Sequence, residues 1–174
     1  MIKKNDPRLI IFMSAAFILI VGGIILGVAT SSKGENDNSS GVAKLSVDST
    51  YYDFGDVSMA KGLVNHTFKI TNEGEGELKI SNISTSCMCT TAVLDVAGEK
   101  SPSFGMPGHG GANPTFWSAT IKPNQTADLI VTFDPNAHGP QATGPITRVI
   151  TIYSNDNSQS NVRRNFTFAA NVVK

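Results

Sequence analysis

From Gly41 to Lys174 apolar and polar residues alternate in short runs separated by turn-forming residues. Val64, His66, Phe68 and Ile70 interleave with Asn65, Thr67 and Lys69, the period-two signature of a strand with one face buried. Asn72-Glu73-Gly74-Glu75-Gly76 reads as a turn and Leu78 to Ile83 as the next strand, so these two runs are expected to form a hairpin or close pair. Ala127, Leu129, Val131 and Phe133 alternate up to Asp134-Pro135, where proline removes a ladder donor. Thr147 to Tyr153 is a β-branched run closed by Ser154-Asn155-Asp156-Asn157, and Phe166, Phe168, Ala170 and Val172 mark a final strand. Shorter strands are expected at Leu45–Val47, Tyr52–Phe54 and Met88–Val93. Seven or eight strands with no competing amphipathic helix predict an all-β antiparallel sandwich of the immunoglobulin type.

The first forty residues differ in kind. Met1 to Arg8 carries Lys3, Lys4 and Arg8 against Asp6, and Leu9 to Ala29 reads LIIFMSAAFILIVGGIILGVA without a charge. At about 1.5 Å per residue such a helix spans the roughly 30 Å hydrocarbon core of a bilayer. The basic flank keeps residues 1–8 in the cytoplasm and sends the rest outside. A cleaved signal peptide is the competing reading, because Gly27-Val28-Ala29 offers small residues for cleavage. The apolar run exceeds the about 7–15 residues of a signal peptide, which favours an anchor. Residues 30–43, rich in Ser, Asn and Gly, are expected to be a flexible tether. The domain proper is then 44–174, with a Gly/Pro-rich stretch at 101–114.

Lys+Arg and Asp+Glu balance at 14 each and charged residues make up 16%. A neutral total leaves no electrostatic footprint for nucleic acid, so that partner is disfavoured.

Tyr52-Asp53-Phe54-Gly55-Asp56-Val57, then Val64 to Gly74 (VNHTFKITNEG), Leu78-Lys79-Ile80 and Thr85-Ser86-Cys87-Met88-Cys89-Thr90-Thr91 together resemble the bacterial domain of unknown function 1573. The resemblance spans about residues 44 to 173. It implies an immunoglobulin-like sandwich related to the major-sperm-protein and cilium-associated domains, exported and used for binding or scaffolding, with no established activity. The stretch Ser101 to Pro114 departs from the family pattern.

Cys87 and Cys89 are the only cysteines. With Met106 and His109 from the Gly/Pro-rich stretch, and His138 from the loop Asp134 to Pro140, they form a soft donor set suited to Cu(I) or, through thiolate and imidazole, Zn(II). Other readings stay open. Residues i and i+2 of a regular strand hold their Cβ atoms nearly 7 Å apart, whereas a disulfide needs about 3.5–4.5 Å. The pair can therefore bridge only where the strand is broken. Exported proteins often oxidise their cysteines, and buried free thiols also serve as core residues. His66, on an apolar strand face, is expected to be a core histidine.

No Gly-x-Ser-x-Gly elbow, phosphate-cradling glycine loop or His-Glu-x-x-His helix occurs in the sequence. The chain thus reads as a single-pass protein of the cytoplasmic membrane, its N-terminus inside, displaying a non-catalytic binding or scaffold module toward a cell-envelope protein. No small-molecule substrate is indicated. The alternatives are copper or zinc binding through Cys87, Cys89, Met106 and His109, and thiol–disulfide redox chemistry.

Overall fold

The computed structural model describes residues 41–109, 113–156 and 163–174. The basic tail, the 9–29 segment and most of the tether lie outside the described residues. Among the described residues no helix is long and apolar enough to cross a membrane.

Among the described residues ten strands build two five-stranded sheets. The first sheet runs β1 (Leu45–Val47), β3 (Val64–Asn72), β8 (Thr126–Phe133), β5 (Thr90–Val96), β6 (Glu99–Lys100). The second runs β2 (Tyr51–Ser58), β10 (Arg163–Val173), β9 (Gly144–Ser154), β4 (Leu78–Thr85), β7 (Ala119–Ile121). The expected all-β, immunoglobulin-like sandwich is present, with three differences. The two- and three-residue strands β6 and β7 are too short to show an alternation. The pairing of β2 with β10 is parallel, so the sandwich is not wholly antiparallel. Strands β3 and β4 lie in different sheets, so the turn at Asn72 to Gly76 carries the chain across the sandwich and closes no hairpin.

That turn crosses because its interior is filled by the start of the domain. Asn72 is fully buried. Its Nδ2 donates to the carbonyls of Gly76 and Ile121 at 2.8 and 2.9 Å, and its Oδ1 accepts from the backbone of Lys44 and Gly74 at 3.3 and 3.0 Å. One amide thereby meets all of its needs within the protein. Residues 41–44 lie directly on the turn, with Glu73 N donating to Lys44 O at 2.9 Å. A Cβ on Gly74 would strike Val42 O, and one on Gly76 would strike Gly41 O. Residues 41–43, assigned from sequence to the tether, are held here.

The period-two pattern positions the core. In β8 Ala127, Leu129, Val131 and Phe133 are buried while their neighbours are half-buried or exposed. In β4 the ladder shifts register between Ile80 and Asn82, which resets the phase so that Ile83 and Thr85 follow Leu78 and Ile80 inward. Phenylalanine rings interlock across the gap. Phe68 of the first sheet meets Phe166 of the second at 5.0 Å, and Phe133 meets Phe168 at 5.4 Å. The stretch after β6 joins this core. Phe104 exchanges two 2.9 Å backbone bonds with Ala92, is fully buried, and packs on Trp117 at 4.9 Å.

His66 is half-buried, stacked on Tyr52 at 3.6 Å and edge-on to Phe68 at 4.6 Å. It belongs to an aromatic seam at the margin of the core. Desolvation holds its pKa below the ordinary imidazole value, with Asp48 acting weakly the other way.

Phe168→Ala is expected to lower the unfolding free energy by about 3–5 kcal/mol in urea titration, since the ring is fully buried. The His66 shift predicts a pH effect of definite sign. Between the depressed folded value and the usual value of about 6.5, the unfolded chain takes up a proton that the folded chain refuses. Stability is therefore present above about pH 6.5 and falls as the pH drops below it. His66→Phe is expected to remove that part of the slope in thermal melts while keeping the stack.

Candidate functional site

Strand β4 ends at Thr85 and β5 begins at Thr90 in the opposite sheet. The expected strand at Met88–Val93 therefore starts two residues later, and Cys87-Met88-Cys89 occupies a turn. Thr90 N donates to Cys87 O at 3.1 Å, and Thr85 Oγ1 lies 3.0 Å from the carbonyls of both Cys87 and Thr90. This broken strand meets the condition for bridging. Cys87 and Cys89 form a disulfide, with Cα atoms 5.2 Å apart.

A second crossing between the sheets, from β8 to β9, passes the same end and grips the turn. Asp134 N donates to Cys89 O at 2.8 Å. From β9, Val149 O accepts from Ser86 N and Val149 N donates to Ser86 Oγ, both at 2.9 Å. The two sulfurs are consequently fixed between three strand ends. Cys87 is 7% and Cys89 2% exposed, whereas Met88 between them is 51% exposed.

Disulfide sulfurs carry no hydrogen, so every polar group facing them must donate. Four do. Cys87 Sγ faces His138 Nε2 at 3.1 Å and Cys89 N at 3.2 Å. Cys89 Sγ faces Arg148 Nε at 3.2 Å and Thr90 Oγ1 at 3.6 Å. In the tautomer that lets His138 donate, Nε2 carries the ring proton. Arg148 is anchored by an Nη1 bond to Thr147 O at 2.9 Å, and among the described residues neither ion pair includes it. Beside the disulfide opens a cleft of about 240 Å³, with Phe133, Ile146 and Val172 on its apolar wall and Asp134, His138 and Arg148 on its polar rim.

Of the residues singled out from sequence, the structure brings together Cys87, Cys89 and His138, whose ligand atoms lie within 4.8 Å of one another. A soft metal needs thiolates, so this set can ligate only once the disulfide is opened. His109 is exposed and outside that group, its N–H bonded to Met106 O at 3.2 Å. Met106 follows Gly105, whose carbonyl accepts Thr85 N at 3.2 Å. The stretch thus folds back beside the cysteine turn without delivering His109 to it. Arg148 escaped the sequence reading. The only trace was a lone cation inside an otherwise uncharged β-branched run.

The cysteine turn lies inside a recognisable segment. Residues 45–100 match the family described as protein of unknown function (DUF1573). The matched segment is 56 of the chain's 174 residues. It contains β1 to β6 and both cysteines, whereas His138 and Arg148 lie beyond it. A protein of unknown function from Porphyromonas gingivalis W83 is similar at 24% identity with a TM-score of 0.53, over 75% of this chain and 46% of that one. The chain thus spans less than half the length of that relative, and the likeness shows the fold. The ASH/PapD-like domain 7 of human CEP192 is similar at 9% identity with a TM-score of 0.45, over 75% of this chain and 86% of that domain. The CooA pilin subunit of enterotoxigenic Escherichia coli is similar at 11% identity with a TM-score of 0.46, over 76% and 99%. No curated protein matches the sequence.

Closing a three-residue loop removes little freedom from the unfolded chain, about 1.6 kcal/mol in the chain-entropy account. Reduction with dithiothreitol is therefore expected to lower the unfolding free energy by no more than about that amount, with the strand circular dichroism retained. A loss of about 4 kcal/mol or more in urea titration, the range of long-loop disulfides, would mean that the Cys87–Cys89 cystine is a staple of the fold.

Proposed function

We infer that the chain is a cell-envelope protein, held in the cytoplasmic membrane by residues 9–29, that serves as a binding or scaffold module for an envelope protein. The end of the sandwich around Cys87 and Cys89 is the face that meets the partner. The disulfide itself carries this reading. Protein disulfides persist in oxidising compartments and are rare in the cytosol, which supports an extracytoplasmic domain. The surroundings of the disulfide support a protein partner. A cleft with an apolar wall and a polar rim suits an amphipathic side chain presented by another protein, and the half-exposed Met88 supplies an adaptable apolar contact. The longest free edge is less suitable. Strand β2 carries Asp53 and Asp56, both exposed, and its ladder with β10 shifts register between Ala169 and Asn171; charges and irregularities of this kind discourage strand addition.

Two measurements test this. Protease added to spheroplasts is expected to digest the domain, and detergent to be needed to extract the intact chain; a protected or freely soluble chain overturns the envelope assignment. A photo-crosslinker at Met88 is expected to capture one envelope protein reproducibly, whereas one at Glu75, at the other end of the sandwich, captures none. Equal capture at both positions would remove the cystine end as the binding face.

A further inference from the structure

Four donors on two disulfide sulfurs are more than a neutral cystine uses. A disulfide sulfur is a weak acceptor and carries no charge. A thiolate carries a full negative charge and accepts strongly, and hydrogen bonds to charged groups are roughly twice as strong as neutral ones. Arg148 Nε, His138 Nε2, Cys89 N and Thr90 Oγ1 are therefore aimed where charge develops only when the S–S bond opens. The guanidinium has no carboxylate partner in either ion pair of the described residues. It is fixed by its own strand through Thr147 O, and the next residue, Val149, is tied to Ser86 on the cysteine turn. Arg148 is thus also held beside the cysteine turn by bonds that do not involve the sulfurs.

We propose that Cys87 and Cys89 are a thiol–disulfide exchange site that oxidises a dithiol on the protein partner. The substrate class rests on the reading that the partner meets this end of the sandwich. A thiolate of the partner attacks Cys87 Sγ, the sulfur of the more exposed cysteine, beside His138 and the cleft. The S–S bond breaks, its electron pair remains on Cys89 Sγ against Arg148 and Thr90, and the partner is held to Cys87 as a mixed disulfide. The partner's second thiol, as thiolate, attacks its own sulfur in that mixed disulfide and releases Cys87 as a thiolate against His138 and Cys89 N. The partner has lost two electrons and two protons and gained a disulfide. Cys87 and Cys89 have taken up the electrons, and the protons leave to water. Because the donors favour the reduced pair over the oxidised one, the site accepts electrons more readily than a cystine without them, as in oxidising disulfide carriers. Arg148 and His138 are positioning residues in this scheme, acting through the sulfurs.

The test uses the full-length chain and glutathione, which requires no partner. The chain is equilibrated with mixtures of reduced and oxidised glutathione, quenched with an alkylating reagent and weighed by mass spectrometry. Wild-type pairs are expected to open in glutathione alone, with the mixed disulfide on Cys87. In Arg148→Gln the equilibrium constant for reduction is expected to fall about tenfold, the loss of one charge-assisted hydrogen bond. Arg148→Lys keeps the charge and is expected to recover part of it, and His138→Gln shifts the equilibrium in the same direction as Arg148→Gln. Should Arg148→Gln fail to fold by circular dichroism, His138→Gln, in an exposed loop, decides the matter. Variants that titrate with the wild type, a wild-type pair that glutathione does not open, or glutathione attached to Cys89 would each overturn the assignment. Photo-crosslinking at Met88 is blind to sulfur chemistry and glutathione is blind to the partner, so the two readings fail separately.

Discussion

Phenylalanine rings contributed by both sheets meet in the middle of the sandwich, and the placement of both ends follows from that contact. Phe68 and Phe133 come from the first sheet and Phe166 and Phe168 from the second. Sheets packed face to face stand about 10 Å apart, so a chain moving from one to the other needs a crossing segment. Three such crossings matter here. The one at Asn72 to Gly76 is filled by residues 41–44. The β4–β5 and β8–β9 crossings share the opposite end and grip one another through Asp134 and Cys89. The cystine exists because the core forces β4 to stop at Thr85 and the chain to change sheets before Thr90.

The strands of the core were legible because burying one face imposes period two on the residues, as Phe68, Ile70, Leu129, Val131, Phe166 and Phe168 show. What resisted was pairing. A turn such as Asn72 to Gly76 announces that the chain reverses, but the same residues serve a hairpin and a crossing, and the choice was made by residues 41–44 packing into it. The parallel partnership of β2 and β10 joins segments more than a hundred residues apart and leaves no local mark. Strands of two or three residues, such as β6 and β7, lack the length to show any period.

The site was half legible for a similar reason. Cysteines announce themselves, and strand geometry stated the condition under which this pair could bridge. His138 stood out as a histidine in a loop, but nothing in the sequence ranked it above His109. The ranking comes from Asp134 holding the β8–β9 crossing against the cysteine turn. Arg148 sits 59 residues from Cys89 on a strand whose outward residues are commonly polar, so a cation there carries no local signal of a site. Its meaning depends on Ser86 and Val149 bringing the two segments into register.

The chain joins the sandwich beside Asn72, at one extremity of β3, whereas the sulfurs lie beyond Val64 at the other; Val64 pairs with Phe133, and so does Thr90. The nine residues of β3 separate these points by about 27 Å on strand geometry. A partner engaged at Met88 and the disulfide therefore sits a full strand length away from residues 41–44 and leaves their packing on the Asn72 turn untouched.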